Sequence, residues 1–179
     1  QTECKMKTIV VFVTTLDGKI TKWNDPHVMR WSSAEDQAYF RKIWNESPLI
    51  VMGSRTFDFD PIKPSPKSLL HIMSWKPARY NGKEVPGQLT FSDESPEALV
   101  ARFQTDYEQM LVVGGPKVAT AFFKAGLVDE LWLTLEPKIF GEGGNFAVGA
   151  ELDINLSLIS MEKVNDRGTL ILKYRVLKS

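Results

Sequence analysis

The sequence contains one cysteine, Cys4, and two histidines, His27 and His71, in 179 residues. A single cysteine excludes an internal disulfide framework and a cysteine-rich zinc site. Two histidines far apart in the chain supply a histidine-based metal site poorly, so no metal is expected. Charge of one sign is also missing: Lys+Arg and Asp+Glu both number 22, for a formal net charge of +0. Nucleic-acid binders usually carry a basic excess, and none is present. No apolar run approaches the ~20 residues needed to span a bilayer. The run Ile9–Val13 is too short for a signal-peptide core. A reduced, cytoplasmic compartment is the expectation. The common nucleotide and hydrolase fingerprints are absent as well. There is no G-x-x-x-x-G-K-[ST], no G-x-S-x-G and no H-E-x-x-H, and Gly141-Glu142-Gly143-Gly144-Asn145-Phe146 fails the G-x-G-x-x-G pattern at its sixth place.

What is present fits an ordinary globular chain. Hydrophobic residues make up 43% and charged residues 25%, near the average for folded domains. The length suits a single domain over residues 1–179, with residues 1–5 expected to be a disordered or non-core N-terminal extension. Three prolines (Pro61, Pro64, Pro66) make Asp58–Ser68 a loop. Ser74–Gln88 reads as a surface excursion.

Short apolar runs alternate with helical patterns. Ile9–Val13, Leu49–Met52, Leu69–Met73 and Met110–Val113 read as strands buried on both faces, as in a parallel sheet. Leu131–Leu135 is a further strand. Ser32 or Ser33 caps a helix running to about Asn45, with Glu35 and Asp36 in its favourable first turn. Ser95 caps Pro96–Gln104, with Pro96 at its first position. Pro116–Ala125 carries Val118, Ala121, Phe122 and Ala125 at helical spacing, and Gly126 stops it. Alternation through Ile154, Leu156 and Leu158, then through Leu170, Leu172, Tyr174 and Val176, flanks Asn165-Asp166-Arg167-Gly168 and predicts a β-hairpin. The sum is an α/β sheet, mainly parallel, finished by an antiparallel hairpin.

Two strand-to-helix junctions are of one type. Leu49–Met52 runs into Gly53-Ser54-Arg55-Thr56, and Met110–Val113 runs into Gly114-Gly115-Pro116. Backbone N–H groups at a helix start, reached over glycines, suit a phosphate, and Thr56 and Arg55 add a hydroxyl and a charge. The alternative is that the glycines only make tight turns. Two such junctions favour a dinucleotide, whose pyrophosphate needs donors from more than one place.

The segment Trp31 … Asp36-Gln37-Ala38-Tyr39-Phe40 … Pro48-Leu49-Ile50-Val51-Met52-Gly53-Ser54-Arg55-Thr56 resembles dihydrofolate reductase in order and spacing. Thr15-Leu16-Asp17-Gly18-Lys19-Ile20, Val112-Val113-Gly114-Gly115-Pro116, Ala125-Gly126-Leu127-Val128-Asp129-Glu130-Leu131 and Pro137-Lys138-Ile139-Phe140-Gly141-Glu142-Gly143 are more similar to the reductase domain of the bifunctional riboflavin-biosynthesis deaminase-reductase. The resemblance runs from about Met6 to Leu177. It implies a dihydrofolate-reductase-like three-layer α/β/α fold, reduction by NADPH of a pyrimidine- or pterin-like small molecule, and a homodimer. By the family pattern, Gly53, Ser54, Arg55 and Thr56 hold the adenosine-side phosphates and Ser74 lies near the adenine ribose. Gly114, Gly115, Pro116 and Val118 hold the pyrophosphate. Thr15, Leu16 and Asp17 pass beside the nicotinamide. Asp36 takes the place of the carboxylate that assists protonation of the pterin; read alone, it is also a favourable helix-start acid. Glu136 stands where the riboflavin branch meets its substrate; read alone, it is also a strand-end surface charge. Trp31 is a candidate cleft wall, and Trp44 and Trp132 are expected in the core.

The chain departs from the pattern in three places. Ser54 stands where the family often has Arg, with Arg55 one residue later, so Lys76 and Arg79 join Arg55 as partners for a 2′-phosphate. After Thr56 comes Asp60-Pro61-Ile62-Lys63-Pro64, without the Arg that grips the substrate phosphate in the riboflavin branch. The zinc-deaminase signature is absent. Reduction of 5-amino-6-(5-phosphoribosylamino)uracil, reduction of dihydrofolate, and a nucleotide-binding module without turnover are therefore separate alternatives.

Overall fold

In the computed structural model, residues 5–178 are described; residues 1–4 of the expected N-terminal extension lie outside them. One eight-stranded sheet organises the chain, in the order β4-β3-β2-β5-β1-β6-β8-β7. Its strands are β1 (Lys7–Thr15), β2 (Leu49–Gly53), β3 (Leu69–Met73), β4 (Leu89–Ser92), β5 (Gln109–Val112), β6 (Glu130–Glu136), β7 (Leu156–Lys163) and β8 (Leu170–Val176). The first six run parallel; β8 lies antiparallel to β6, and β7 lies antiparallel to β8 at the sheet's edge. All of β2 is buried, which is why it reads as an unbroken apolar run without alternation.

Four helices cover the two faces: α1 (Ala34–Glu46), α2 (Ser54–Phe59), α3 (Pro96–Phe103) and α4 (Pro116–Lys124). Alternate residues of β1 divide between two cores. Val10 packs with Leu99, Phe103, Ala119 and Phe122 under α3 and α4. Ile9 and Val11 pack with Ile43 and Phe57 under α1 and α2. The result is the three-layer α/β/α arrangement with a mainly parallel sheet and a terminal antiparallel hairpin.

Local chemistry sets the helix ends. The Ser33 hydroxyl accepts from the Asp36 N–H at 3.1 Å, and Ser95 accepts from Ala98 at 3.2 Å, each satisfying a donor the first turn leaves free. α4 ends in a Schellman motif: Gly126 (φ +69°) donates to Phe123 at 3.0 Å and Leu127 to Phe122 at 3.2 Å. Two elements reach into stretches read as loops from the sequence. The six-residue α2 takes in Asp58 and Phe59, so the proline-rich loop begins at Asp60. A single 3₁₀ turn, Pro77–Tyr80, interrupts the surface excursion because Tyr80 is buried there, stacked on Phe91 with ring centroids 4.5 Å apart. β4 has only four residues, and β7 begins at Leu156 rather than Ile154. Among the described residues no helix is long and apolar enough to cross a membrane.

Candidate active site

The carboxyl ends of five neighbouring parallel strands form one line. In spatial order they carry Ser74 after β3, Gly53 at the end of β2, Gly114 after β5, Thr15 at the end of β1 and Glu136 at the end of β6. Four inter-strand steps of roughly 4.8 Å give a row about 19 Å long. Ligands of open α/β sheets bind along this edge, where the strand order reverses. Here β5 is inserted between β2 and β1, so the reversal falls at the two glycine turns.

Those turns touch. The Gly53 N–H donates to the Gly114 carbonyl at 2.8 Å. The Gly114–Gly115 peptide is cis, and Gly114 has φ +113°, a conformation that side-chain-bearing residues rarely adopt. A Cβ on Gly115 would stand 3.2 Å from Thr56 Oγ1, and one on Gly53 would stand 3.0 Å from Val118 Cγ2. Gly53, Thr56, Gly114, Gly115 and Val118 thus form one small cradle that a side chain would fill. α2 and α4 both start at it, and neither has a side-chain cap, so their first-turn N–H groups remain available to an anion. Pro116 opens α4 with its fixed φ.

The remaining residues expected on the cofactor side spread outward from the cradle. Ser54 is half-buried and hydrogen-bonds Tyr80, whose hydroxyl also donates to Asp58 at 2.8 Å. Arg55 is exposed. Ser74 is buried and accepts from the Lys76 N–H at 3.1 Å. At the end of β1, Leu16 is exposed and its N–H donates to Lys138 at 2.9 Å. Asp17 accepts from the Thr15 hydroxyl at 2.5 Å and from the N–H groups of Gly141 at 2.7 Å and Phe140 at 3.2 Å. The Thr15 hydroxyl and these backbone donors hold its carboxyl down at about 2. Its side chain therefore joins the Thr15–Gly18 loop to the segment after β6, and backbone and Leu16 are what that loop offers to a ligand.

On the α1 side of the same row lie the two carboxyl groups. Trp132, Thr134 and Glu136 share one face of β6 by the two-residue period of a strand. Glu136 is 2% exposed. Its Oε1 accepts from the Ser33 hydroxyl at 2.6 Å and the Ser33 N–H at 3.0 Å, and its Oε2 accepts from the Thr169 hydroxyl at 2.9 Å. Asp36 is 6% exposed. Burial pushes its carboxyl up to about 6; a hydrogen bond from Thr134 opposes the rise, and the negative charge of Glu136 adds to it. Tyr39, one turn along α1, is raised to about 12, first by burial and then by the charges of Asp36 and Glu162.

A cavity of about 360 Å³ opens beside this pair, between Trp31–Glu35, Glu136–Lys138 and the turn residues Asn165, Arg167 and Thr169. Trp31 is its buried aromatic wall and meets Phe140 edge-on at 5.2 Å. Glu136 lines this cavity, whereas Asp36, partnered by Thr134, does not. Trp44 and Trp132 pack against the core under α1. Sequence reading missed Ser33 as a partner of Glu136, and missed Thr134 and Thr169 altogether. The shared face of Thr134 and Glu136 was a usable signal. Thr169 had none, since its partner is 33 residues away.

Comparison with known proteins bears on the fold. Residues 87–170 match the family model of the RibD C-terminal domain. The uncharacterized protein YyaP of Bacillus subtilis is 25% identical over 165 residues, spanning 85% of this chain and 86% of YyaP. A Shewanella sp. PV-4 protein provisionally assigned to riboflavin biosynthesis superposes with a TM-score of 0.76 at 21% identity, covering 97% of this chain and all of that one. Dihydrofolate reductase from Enterococcus faecalis, solved with NADP(H), superposes with a TM-score of 0.68 at 18% identity, covering 97% and 98%. The resemblance read from the sequence is borne out: this chain has the dihydrofolate-reductase-like fold, and over residues 87–170 it carries the pattern of the RibD C-terminal domain.

Proposed function

We propose that this protein is an NADPH-dependent reductase of a pyrimidine- or pterin-like small molecule. The observation that supports the reading is the cradle at Gly53, Thr56, Gly114, Gly115 and Val118, where a Cβ on Gly53 or Gly115 would crowd Val118 or Thr56. It fits a pyrophosphate: N–H groups, the Thr56 hydroxyl, and two uncapped helix starts. Ser74 and the cations Arg55, Lys76 and Arg79 would meet the adenosine end, and the Thr15–Asp17 segment the nicotinamide end. When bound, the cofactor supplies hydride from nicotinamide C4 to a C=N-type carbon. The chain's own residues do the rest. Trp31 and the start of α1 hold the flat substrate against the strand ends. The buried Asp36 carboxyl holds the proton that the substrate nitrogen must gain, at a value suited to neutral conditions. Loss of NADPH absorbance against a panel of pyrimidines and pterins, dihydrofolate included, tests this. Turnover of a pyrimidine supports the riboflavin-type reading, and turnover of dihydrofolate supports the other. Tight NADPH binding with no turnover would leave a nucleotide-binding module.

We also propose that the protein is a homodimer, with a small molecule as its other partner and neither nucleic acid nor membrane. β7 is the sheet's edge, and all eight of its residues are exposed. Leu156, Leu158 and Met161 pair with Val176, Tyr174 and Leu172, so they share one face of the hairpin, where they are 38%, 51% and 63% exposed. An apolar edge of this kind is a template for pairing.

A further inference from the structure

We propose that Ser33 and Thr169 are positioning residues that aim hydrogen-bond donors at both oxygens of Glu136, and so leave the proton of the two-carboxyl pair on Asp36. The direction of each hydroxyl carries the inference. Ser33 Oγ accepts from the Asp36 N–H at 3.1 Å, so its own proton is free to point at Glu136 Oε1, 2.6 Å away. Thr169 Oγ1 accepts from Asn165 Nδ2 at 2.8 Å and stands 2.9 Å from Glu136 Oε2. Asn165 cannot turn its amide over without loss, because its Oδ1 accepts from the N–H groups of Thr169 at 3.0 Å and Gly168 at 3.1 Å. The Ser33 N–H adds a third donor that cannot reverse. An ionised carboxylate is an acceptor only, whereas a protonated one must donate. Three donors on Glu136 therefore select its ionised form, while Asp36 has Thr134 as its hydrogen-bond partner and lies beside a like charge.

The hairpin turn is thereby part of the site's acid–base chemistry, though 129 residues separate Asp36 from Asn165 in sequence. The other ionisable groups around the pair are Glu35 and Tyr39 on α1, Lys138 after β6, Glu162 on β7 and Arg167 in the turn. Among the described residues, Glu136 is the one whose charge raises the Asp36 carboxyl. The inference deepens the proposed proton-donor role of Asp36, yet its test needs neither cofactor nor substrate.

The experiment is a carbon-detected NMR titration of the Asp36 side-chain carboxyl in the full chain. Wild type should titrate near 6, as burial and Glu136 dictate. Thr169→Val removes one donor at constant shape, so Glu136 shares the proton and the Asp36 midpoint should fall by about half a pH unit or more. Thr169→Ser keeps the donor and should restore the wild-type midpoint, which a purely structural role would not require. Should Thr169→Val fail to fold, Glu136→Gln and Ser33→Ala supply the same reading, each lowering the midpoint. An Asp36 midpoint unmoved by Thr169→Val, or by both replacement variants, would overturn the inference. Absence of reductase activity would leave these titrations untouched.

Discussion

The backbone N–H of Gly53 donates to the carbonyl of Gly114 across 2.8 Å, tying the ends of β2 and β5 into one turn pair. Val118 Cγ2 stands 3.0 Å from where a Gly53 Cβ would be. Gly53→Ala should therefore push Val118 toward the space assigned to the pyrophosphate, since valine on a helix has essentially one side-chain rotamer. NADPH affinity should fall about tenfold, or ~1.4 kcal/mol. Val118→Ala in the same chain should recover most of it, a coupling that calorimetry on the four forms of a double-mutant cycle would reveal. Additive losses would place the pyrophosphate elsewhere.

Cofactor choice follows from the cations beyond Ser74. Arg79 lies 4.0 Å from Asp58 and packs over Tyr80, and Arg55 is exposed. A 2′-phosphate meeting these groups gains roughly 1.5–3 kcal/mol per charged hydrogen bond. NADPH is expected to bind at least about tenfold more tightly than NADH, with the gap closing in Arg55→Ala/Arg79→Ala. Equal dissociation constants at fixed salt in the wild type would contradict this.

Asp36→Asn separates catalysis from stability. The carboxyl titrates at about 6 in the folded protein against an ordinary 3.8. The raised value means that the folded state binds the proton more tightly. Its stabilising contribution is complete below 3.8 and is lost as the pH rises through about 6. At neutral pH the ionised form therefore costs stability, of order 1–3 kcal/mol. Denaturant melts should show Asp36→Asn more stable than wild type at pH 8, with the advantage vanishing at about pH 4. Turnover of an active substrate should fall by roughly 10²–10⁴ at neutral pH, and by less in acid, where solvent can protonate the substrate. NADPH affinity should be nearly unchanged. A variant as active as wild type at neutral pH would make Asp36 only a helix-start charge.

Assembly rests on β7. Leu158→Lys places a charge in the middle of the apolar edge, 51% exposed in the isolated chain. Light scattering at micromolar concentration should give a dimer for wild type and a monomer for the variant. A wild-type monomer would end this proposal.

The fold was legible where local chemistry repeats: the Ser33 and Ser95 caps, Pro96 and Pro116 opening helices, Gly126 closing one, and apolar runs marking buried strands. At α2 the helix start after Gly53 was legible but its extent to Phe59 was not, since its six residues have no side-chain cap and a single buried residue, Phe57. Nor was β4 legible, since its four residues are too few to show a period. The insertion of β5 between β2 and β1 has no local signal, because it is decided by packing between elements far apart in sequence. The site divides the same way. Gly53, Gly114 and Gly115 announce themselves as punctuation between strand and helix. Asp17 spends its carboxylate on Thr15 and the Gly141 N–H, which its position in the sequence does not reveal. The partners of Glu136 come from α1 and the hairpin, and only the folded chain brings them together.

The central claim is that the glycine cradle is a cofactor site. NADPH should be titrated into isotope-labelled wild type and into Gly115→Val, whose added side chain begins 3.2 Å from Thr56 Oγ1. In wild type the amide resonances of Gly53, Thr56, Gly114, Gly115 and Val118 are expected to move together with saturation. The variant is expected to keep a folded spectrum and show no such response. Undiminished NADPH binding by Gly115→Val, or saturating shifts in wild type confined to residues away from the two glycine turns, would contradict the account.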